Sequence, residues 1–351
     1  MDFSPTEAQQ DLAGLTRRIL TGTPGTDRFD RARWQALATA GVLAAALPES
    51  VGGSGFGVLE QCSVLLELGR ETARVPYLDS IMLAASALTR FAPAALRERW
   101  AAPAATGEVI LTAALEDEGA HAEPVPGGWR LTGGKTAVPF AAEADAILVP
   151  VTGDTVFLVT PTDPGVLIEP QDTVDETSAG RLTFESVLLG EDRIVGPAAD
   201  WLTTTAAIGL SATQLGVAER ALELTAEHAR TRIQFDRPIG TFQAVGQRLA
   251  DAYIDVEAIR LSLWQAAWRR AADLDCAAEV ATAKFWAAEA GHRVAHTAVH
   301  VHGGMGIDTS HALHRYFTAA KRNEFQQGGA TTHLRDLGDL LAREPVPLPE
   351  Q

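Results

Sequence analysis

The feature that most constrains the fold of this chain is a series of long helical stretches in its C-terminal part. Apolar residues recur at three- and four-residue steps through 205–230, 241–272 and 277–301. Each stretch is too long for a single surface helix and has an apolar face wide enough to be buried against other helices. The sequence therefore predicts a helical bundle domain over residues 200–346.

The N-terminal part has a helical pattern as well, from residue 4 to about residue 111. The segment Ser4-Pro5-Thr6-Glu7 predicts a helix with Ser4 as its N-cap and proline at its first position. The glycine-rich segment 48–57 predicts a plain loop between helices, because no strand precedes its glycines as in a phosphate-binding loop. These patterns define a predicted N-terminal helical domain, residues 1–108.

Between these helical parts, residues 109–199 have the character of a β domain. Short runs of strand-forming residues are separated by Gly, Pro and Asp turns, at 129–135, 146–151, 156–159 and 182–184. A two-sheet sandwich and an open barrel both fit this periodicity. The predicted fold class is therefore mainly α with a middle β-barrel or sandwich domain.

The charge of the chain excludes some classes of function. There are 45 Asp and Glu against 29 Lys and Arg, so the net charge of -16 disfavours binding to nucleic acids and to anionic membranes. The acidic start of the chain is unlike a signal peptide, and no apolar run approaches the length of a membrane helix. We expect a cytoplasmic protein whose cysteines, Cys62 and Cys276, are reduced and buried.

Two segments contain residues suited to binding a dinucleotide, 230–243 (RTRIQFDRPIGTFQ) and 302–306 (HGGMG). Arg232 can form a charge-assisted contact with a pyrophosphate, and Phe235 offers an aromatic surface to a ring. The Gly303-Gly304 pair lets the backbone approach a phosphate closely. Without further context, the arginines would be a solvated basic helix end and the glycines an interhelical turn.

Together with the domain order, several separated motifs resemble those of acyl-CoA dehydrogenases, at 47–53, 67–70, 131–135, 230–243 and 302–306. The resemblance covers nearly the whole chain. It implies an N-terminal helical domain, a middle β domain, a C-terminal four-helix bundle, an acyl-CoA substrate and FAD, which one protomer's C-terminal domain contacts across a dimer interface. The implied cofactor-binding residues are Arg232, Phe235, Gln243, His300, Gly303 and Gly304.

The chain departs from the family pattern where the chemistry takes place. Gln327 stands at the position of the glutamate that removes a proton from the substrate, and an amide has no useful basicity near neutral pH. The alternative glutamate position of some relatives falls near Ala206. In the β domain, the segment 114–119 lacks the family's threonine, and Ala137 and Pro139 replace the tryptophan and threonine beside the flavin ring.

In the family that the chain resembles, the residues retained here serve the neighbour's FAD, and the residues lost here serve the protomer's own flavin ring and substrate. This pattern resembles the non-catalytic subunit of the α2β2 acyl-CoA dehydrogenases of actinobacterial steroid side-chain degradation, as do the motifs 111–115, Gly328-Gly329 and His333. We therefore expect a subunit with no catalytic residue of its own. Paired with a homologous catalytic subunit, it would help to form an α,β-enoyl-CoA, with a steroid or another bulky acyl group as a candidate substrate.

Three alternatives remain open at this stage. The chain can be a self-sufficient homo-oligomeric dehydrogenase with Glu324 or Asp200 as a displaced base, a flavin monooxygenase of the same fold, or a non-enzymatic acyl-CoA or flavin-binding scaffold. A metal site at the histidines 292, 296 and 300, which share one helical face, is not predicted, because no carboxylate or cysteine completes the set.

Overall fold

A computed structural model describes residues 4–22, 25, 27–116 and 119–343. The start of the chain, the residues Asp117 and Glu118 of the 114–119 segment, and the tail 344–351 that we expect to fray lie outside the described residues. Contacts divide the described chain into two compact units, one of 4–68 with 73–209 and one of 69–72 with 210–343. The division into three domains at 1–108, 109–199 and 200–346 stays a prediction.

The N-terminal part is helical, as predicted. Its elements are α1 (Glu7–Leu20), α2 (Arg31–Thr39), α3 (Val42–Ala45), a 3-10 turn (Glu49–Val51), α4 (Val58–Arg70), a π-helix (Tyr77–Ala85), α5 (Ser86–Phe91), α6 (Ala94–Leu96), a second π-helix (Arg97–Ala101) and α7 (Ala102–Ala105). Apart from its 3-10 turn, the 48–57 segment is a loop, as the glycines indicate.

The predicted start of the first helix is wrong by two residues. Thr6, not Ser4, is the N-cap of α1, and Pro5 precedes the helix instead of opening it. The Thr6 hydroxyl accepts from the Gln9 amide N–H at 3.2 Å, and the Gln9 side chain accepts from the Thr6 N–H at 2.7 Å. This reciprocal capping box satisfies two backbone donors, whereas a cap at Ser4 would leave that pair unmade.

The middle of the chain forms two sheets. Its strands are β1 (Leu111–Ala113), β2 (His121–Val125), β3 (Gly128–Pro139), β4 (Ala146–Pro150), β5 (Thr155–Val159), β6 (Val166–Gln171), β7 (Ala179–Leu189) and β8 (Ile194–Pro197). One sheet has the order β1-β4-β5-β8, in which β1 and β4 are parallel, and the other has the antiparallel order β2-β3-β7-β6.

A shared core joins the two sheets. Ile147 and Phe157 from the first sheet and Leu131 and Leu182 from the second are fully buried in one apolar cluster. Of the two arrangements that the periodicity allowed, the structure has the two-sheet sandwich.

The second unit contains the long helices that the sequence predicts, although the first of them begins six residues earlier than predicted. They are α8 (Ala199–Thr231), whose first turns belong to the other unit, α9 (Gln243–Ala271) and α10 (Ala277–His302), followed by a 3-10 segment (Gly303–Ile307), α11 (Ala312–Phe325) and α12 (Ala330–Arg343). Between α8 and α9 lie the two-residue strands β9 (Ile233–Gln234) and β10 (Arg237–Pro238) and a 3-10 turn (Ile239–Thr241).

A polar network lies in the core of this unit. The fully buried Gln214 of α8 accepts from the Asn323 side chain at 3.0 Å and donates to the Ala320 carbonyl of α11. A Cβ atom at Gly291 of α10 would lie 1.8 Å from the Gln214 amide nitrogen. Glycine at 291 therefore makes the space in which the α8 and α11 amides pair.

Candidate functional site

The segment that follows α8 forms a tight hairpin. The central residues of its turn, Phe235 and Asp236, have φ angles of 54° and 60°, as the type I′ turn requires. The Phe235 side chain is 85% exposed at the tip of this hairpin. Arg232, at the base of the hairpin, is exposed as well, and its amide N–H donates to the His228 carbonyl at 2.9 Å.

The hairpin packs against the start of α9 through aromatic contacts. The Phe235 and Phe242 rings meet edge to face at 6.1 Å, and the Arg237 guanidinium lies 4.3 Å from the centre of the Phe242 ring. Helix α9 begins at the exposed Gln243, and no side chain of the described residues caps this helix start. The Val245 N–H already donates to the Phe242 carbonyl at 3.0 Å, so the N–H groups of Gln243 and Ala244, with the positive end of the helix dipole, are those that can receive an anion.

The paired glycines follow the last residue of α10. Gly303 has φ 63° and ψ −136°, a conformation that is essentially restricted to glycine. Gly304 has no positive φ, and a Cβ atom at either position would meet open space. Since neither its conformation nor crowding explains glycine at 304, the exposed backbone leaves room for a ligand to approach closely.

Two stacked histidines bring these segments together. The His228 ring, one helical turn before Arg232, stacks on the His302 ring with centroids 4.3 Å apart. The base of the hairpin and the glycine pair are thus next to the same ring stack. His300 is exposed two residues before His302. Within this unit, the six predicted cofactor residues are exposed, and the ring stack links the helix ends that carry Arg232 and Gly303.

The turn after α11 carries Gln327 in a left-handed conformation, with φ 59°. The Gln327 carbonyl accepts from His333 Nε2 at 2.8 Å, and burial lowers the pKa of His333, which favours its neutral ring. The fully buried Lys284 ammonium donates to the carbonyls of Asn323 (3.1 Å), Glu324 (3.3 Å) and Gly328 (3.0 Å). The turn that holds the amide is therefore fixed from two helices.

The candidate displaced bases differ in their surroundings. The Glu324 carboxylate accepts from the Lys321 ammonium at 2.6 Å and lies 3.1 Å from His292 Nδ1. The Glu324 side chain is only 13% exposed, so its carboxylate is held in a partly buried ion pair. Asp200 is exposed in the first turn of α8, where its charge favours the helix start. Ala206 is buried and carries no ionisable group.

In the β domain, the backbone around Ala137 is engaged within the chain. A bulge in β3 gives Ala137 a φ of 49°, and its N–H donates to the Gln171 side chain at 2.7 Å. The Gln171 amide group in turn donates to the Thr136 hydroxyl at 3.1 Å. Pro139 has no N–H to offer, and its carbonyl accepts from the Thr112 hydroxyl at 2.7 Å.

The histidines of α10 do not form a metal site. Glu324 does contact His292, which corrects the expectation that no carboxylate is near this set, and the His292 and His296 rings lie 4.3 Å apart. The Lys321 ammonium lies 3.0 Å from His292 Nδ1, so a cation would meet a like charge there. Among the described residues, no group of three or more His, Cys, Asp or Glu side chains can hold a metal ion.

Both cysteines are free and buried, as predicted. Burial raises the pKa of the Cys62 thiol, which keeps it protonated and unreactive. No helix within the described ranges has the length and apolarity needed to span a bilayer.

Sequence reasoning missed three side chains of this region. His228 lies four residues before Arg232, a helical spacing that gave a usable signal, and His302 lies within the glycine motif without being chosen as a site residue. Gln171 had no signal, because it is 34 residues from Ala137 and meets it only through the sheet.

Comparisons with known proteins agree with these observations. Residues 19–108 match the model for the acyl-CoA dehydrogenase N-terminal domain, and residues 198–341 match the model for the C-terminal domain. "Acyl-CoA dehydrogenase FadE27" of Mycobacterium tuberculosis is 51% identical, over 99% of this chain and 100% of the relative.

Solved structures extend the likeness. A chain in the crystal structure of the ChsE4-ChsE5 complex from M. tuberculosis is 52% identical, with a TM-score of 0.96 over 99% of this chain and 100% of that chain. A chain of the Tcur3481-Tcur3483 steroid ACAD is 39% identical, with a TM-score of 0.90 over 96% and 98%. The predicted fold class is confirmed, as is FAD as the cofactor that the family uses. The chain belongs to the acyl-CoA dehydrogenase family.

Proposed function

We propose that this chain is the subunit without a catalytic base in a hetero-oligomeric, FAD-dependent acyl-CoA dehydrogenase, and that it completes the FAD site of a homologous catalytic subunit. The observation that carries the proposal is Gln327, whose amide cannot accept a carbon-bound proton. Lys284 and His333 hold the turn that carries Gln327 through hydrogen bonds to its carbonyls, so the backbone around this residue is fixed. The nearby carboxylate of Glu324 is paired with Lys321.

The β domain supports the same conclusion. A flavin ring held by this chain would need hydrogen-bond donors and an aromatic surface beside the β3 bulge. Pro139 lacks an N–H, Ala137 has no ring, and the Ala137 N–H already donates to Gln171. The residues present here do not fit a flavin ring of the chain's own.

The exposed set of the second unit fits the other end of the cofactor. Arg232 offers a bidentate cation, the start of α9 offers N–H groups, and Gly303-Gly304 offers close backbone approach. These are the groups that bind a pyrophosphate, and Phe235 adds an aromatic surface that the isolated chain leaves open. They can serve an FAD molecule whose flavin ring is held by another protomer.

In this arrangement the two subunits divide the reaction. When bound, FAD would accept the hydride that leaves the β-carbon of the thioester, and the catalytic partner would supply the base that removes the α-proton. Arg232 neutralises phosphate charge, Gln243 and His300 donate or accept hydrogen bonds, and Phe235 excludes water from the cofactor. This chain thus contributes binding and orientation, and no proton transfer.

The relatives support a heteromeric complex and a bulky substrate. Two of the similar structures are named after pairs of proteins, ChsE4-ChsE5 and Tcur3481-Tcur3483, and the second is called a steroid ACAD. We extend both properties to this chain: an α2β2 assembly with a homologous subunit, and an acyl-CoA with a steroid or comparable ring system. The acyl channel that this chain no longer needs for catalysis would give such a substrate room.

The test is to purify the chain alone and together with a co-expressed homologous acyl-CoA dehydrogenase subunit that carries the glutamate. We expect colourless protein alone, and a complex with about one FAD per pair of unlike subunits that reduces a dye with steroid acyl-CoA. Stoichiometric flavin and dye reduction by the chain alone would instead identify a homo-oligomeric dehydrogenase. Oxygen consumption with reduced flavin would identify a monooxygenase, and CoA binding without turnover in any pairing would identify a scaffold.

A further inference from the structure

Three imidazole rings form a cluster beside the exposed set of the second unit. The half-buried His228 of α8 stacks on the buried His302 at 4.3 Å, with 21° between the ring planes. The ring of His311, which precedes α11, has its centre 5.4 Å from that of His302, with 58° between the ring planes. We call these three residues the histidine stack. They come from three separate elements, so the stack holds the ends of those elements together.

The stack lies next to the groups assigned to phosphate binding. The His228 carbonyl accepts from the Arg232 N–H, which ties the base of the hairpin to the last turn of α8. His302 is followed directly by Gly303, whose backbone conformation only glycine adopts readily. The ring stack therefore connects the helix end that carries Arg232 with the helix end that carries the glycine pair.

The hydrogen bonds of the stack define its protonation. His302 Nδ1 lies 2.8 Å from the Ala298 carbonyl, so it carries hydrogen, and Nε2 is the atom that can gain a proton. His311 Nδ1 accepts from the Leu313 N–H at 3.2 Å, so its hydrogen is on Nε2 when the ring is neutral. Burial lowers the pKa of His228 and of His302, so both rings are neutral at pH 7 in the absence of a ligand.

The charges around the stack are mainly positive. Besides burial, repulsion from Arg232 and His311 contributes to the lowered pKa of His228, and repulsion from His311 contributes to the lowered pKa of His302. The carboxylate of Asp308 lies near His311 and His314 and is fully exposed. A pyrophosphate placed among these groups would reverse the local sign of the field and favour protonated imidazole.

We propose that the histidine stack positions Arg232 and Gly303-Gly304 as one phosphate-binding element, and that it takes up a proton when the pyrophosphate of FAD binds. This inference rests on the proposed function. His228 is thereby a positioning residue, since it acts through Arg232 and His302. The ligand binds more tightly to the protonated stack, so affinity rises as pH falls and levels off below the pKa of the free stack.

The test uses the heteromeric complex, freed of flavin and titrated with FAD, with flavin fluorescence as the readout at pH 6 and pH 8. One coupled proton changes affinity by up to about tenfold per pH unit while it is being taken up, and we expect about tenfold tighter binding at pH 6. Of the two rings whose pKa is lowered, His228 is the one beside Arg232, and we assign the coupled proton to it; His228→Phe keeps a ring for stacking but cannot be protonated. We expect this variant to match the wild type at pH 8 and to gain only about twofold to threefold at pH 6.

His228→Ala removes both the ring and the proton, and we expect weaker FAD binding by about tenfold at both pH values. His121→Phe in the β domain, the same exchange at an exposed histidine, should behave as the wild type. The inference is overturned if both His228 variants keep the wild-type affinity and pH dependence. If the wild-type complex itself binds no FAD, the proposed function fails, and this inference falls with it.

Discussion

Replacement of Lys284 by methionine should destabilise the second unit by about 3 kcal/mol. The ammonium is fully buried and donates to three carbonyls, two from the last turn of α11 and one from Gly328. Methionine keeps the length and apolar stem of the side chain but leaves those carbonyls without this donor, at about 1–3 kcal/mol each. Methionine also avoids the desolvation cost of a buried ammonium, and this gain offsets part of the cost of the three unpaired carbonyls, which leaves a net loss of about 3 kcal/mol.

Urea unfolding monitored by tryptophan fluorescence gives the loss in free energy, and hydrogen exchange locates it in α11, α12 and the turn at Gln327. Lys321→Met is the matched control, because Lys321 is a partly exposed lysine whose ion pair with Glu324 contributes about 1 kcal/mol or less. Equal losses of unfolding free energy in the two variants would refute the reasoning, because the buried contacts of Lys284 with three carbonyls would then contribute no more than the partly exposed ion pair of Lys321.

Three other predictions follow from single positions. Gly291→Ala places a methyl group against the Gln214 amide and should cost about 2–4 kcal/mol in the same urea assay, whereas Gly338→Ala, at an open helical site, should be neutral or stabilising. Phe235→Ala should weaken FAD binding by the complex about tenfold without lowering the unfolding midpoint, because its side chain is exposed; a lower midpoint would contradict this. Gln327→Glu should not give the isolated chain dehydrogenase activity, since Ala137 and Pro139 remain, and acyl-CoA-driven dye reduction by that variant would disprove the argument.

The helices were the most predictable part of the fold. Apolar spacing located α9 and α10 to within two residues and α8 apart from its first six residues, because a buried helix face repeats along the sequence itself. The exact start of α1 was not predictable from proline alone, because Thr6 and Gln9 form a reciprocal pair that stabilises a later start.

Contacts between distant segments were the least predictable part. Strand runs were visible at 146–151 and 156–159, yet the parallel pairing of β1 with β4 has no local signature. The motifs predict Arg232 and Gly303 as site residues, but the ring stack beside them depends on where two helices end. Gln171 became visible only through its bond to the Ala137 N–H.

That bond has a consequence for the evolutionary history of the chain. A Pro139→Thr reversion would restore one donor, but Gln171 would still occupy the neighbouring backbone group, and Ala137 would still lack a ring. Under the proposed function, no one of these substitutions alone would supply a complete set of contacts to a flavin ring. The amide of Gln171, which bridges two strands, thus adds a third requirement to the two that the side chains at 137 and 139 set.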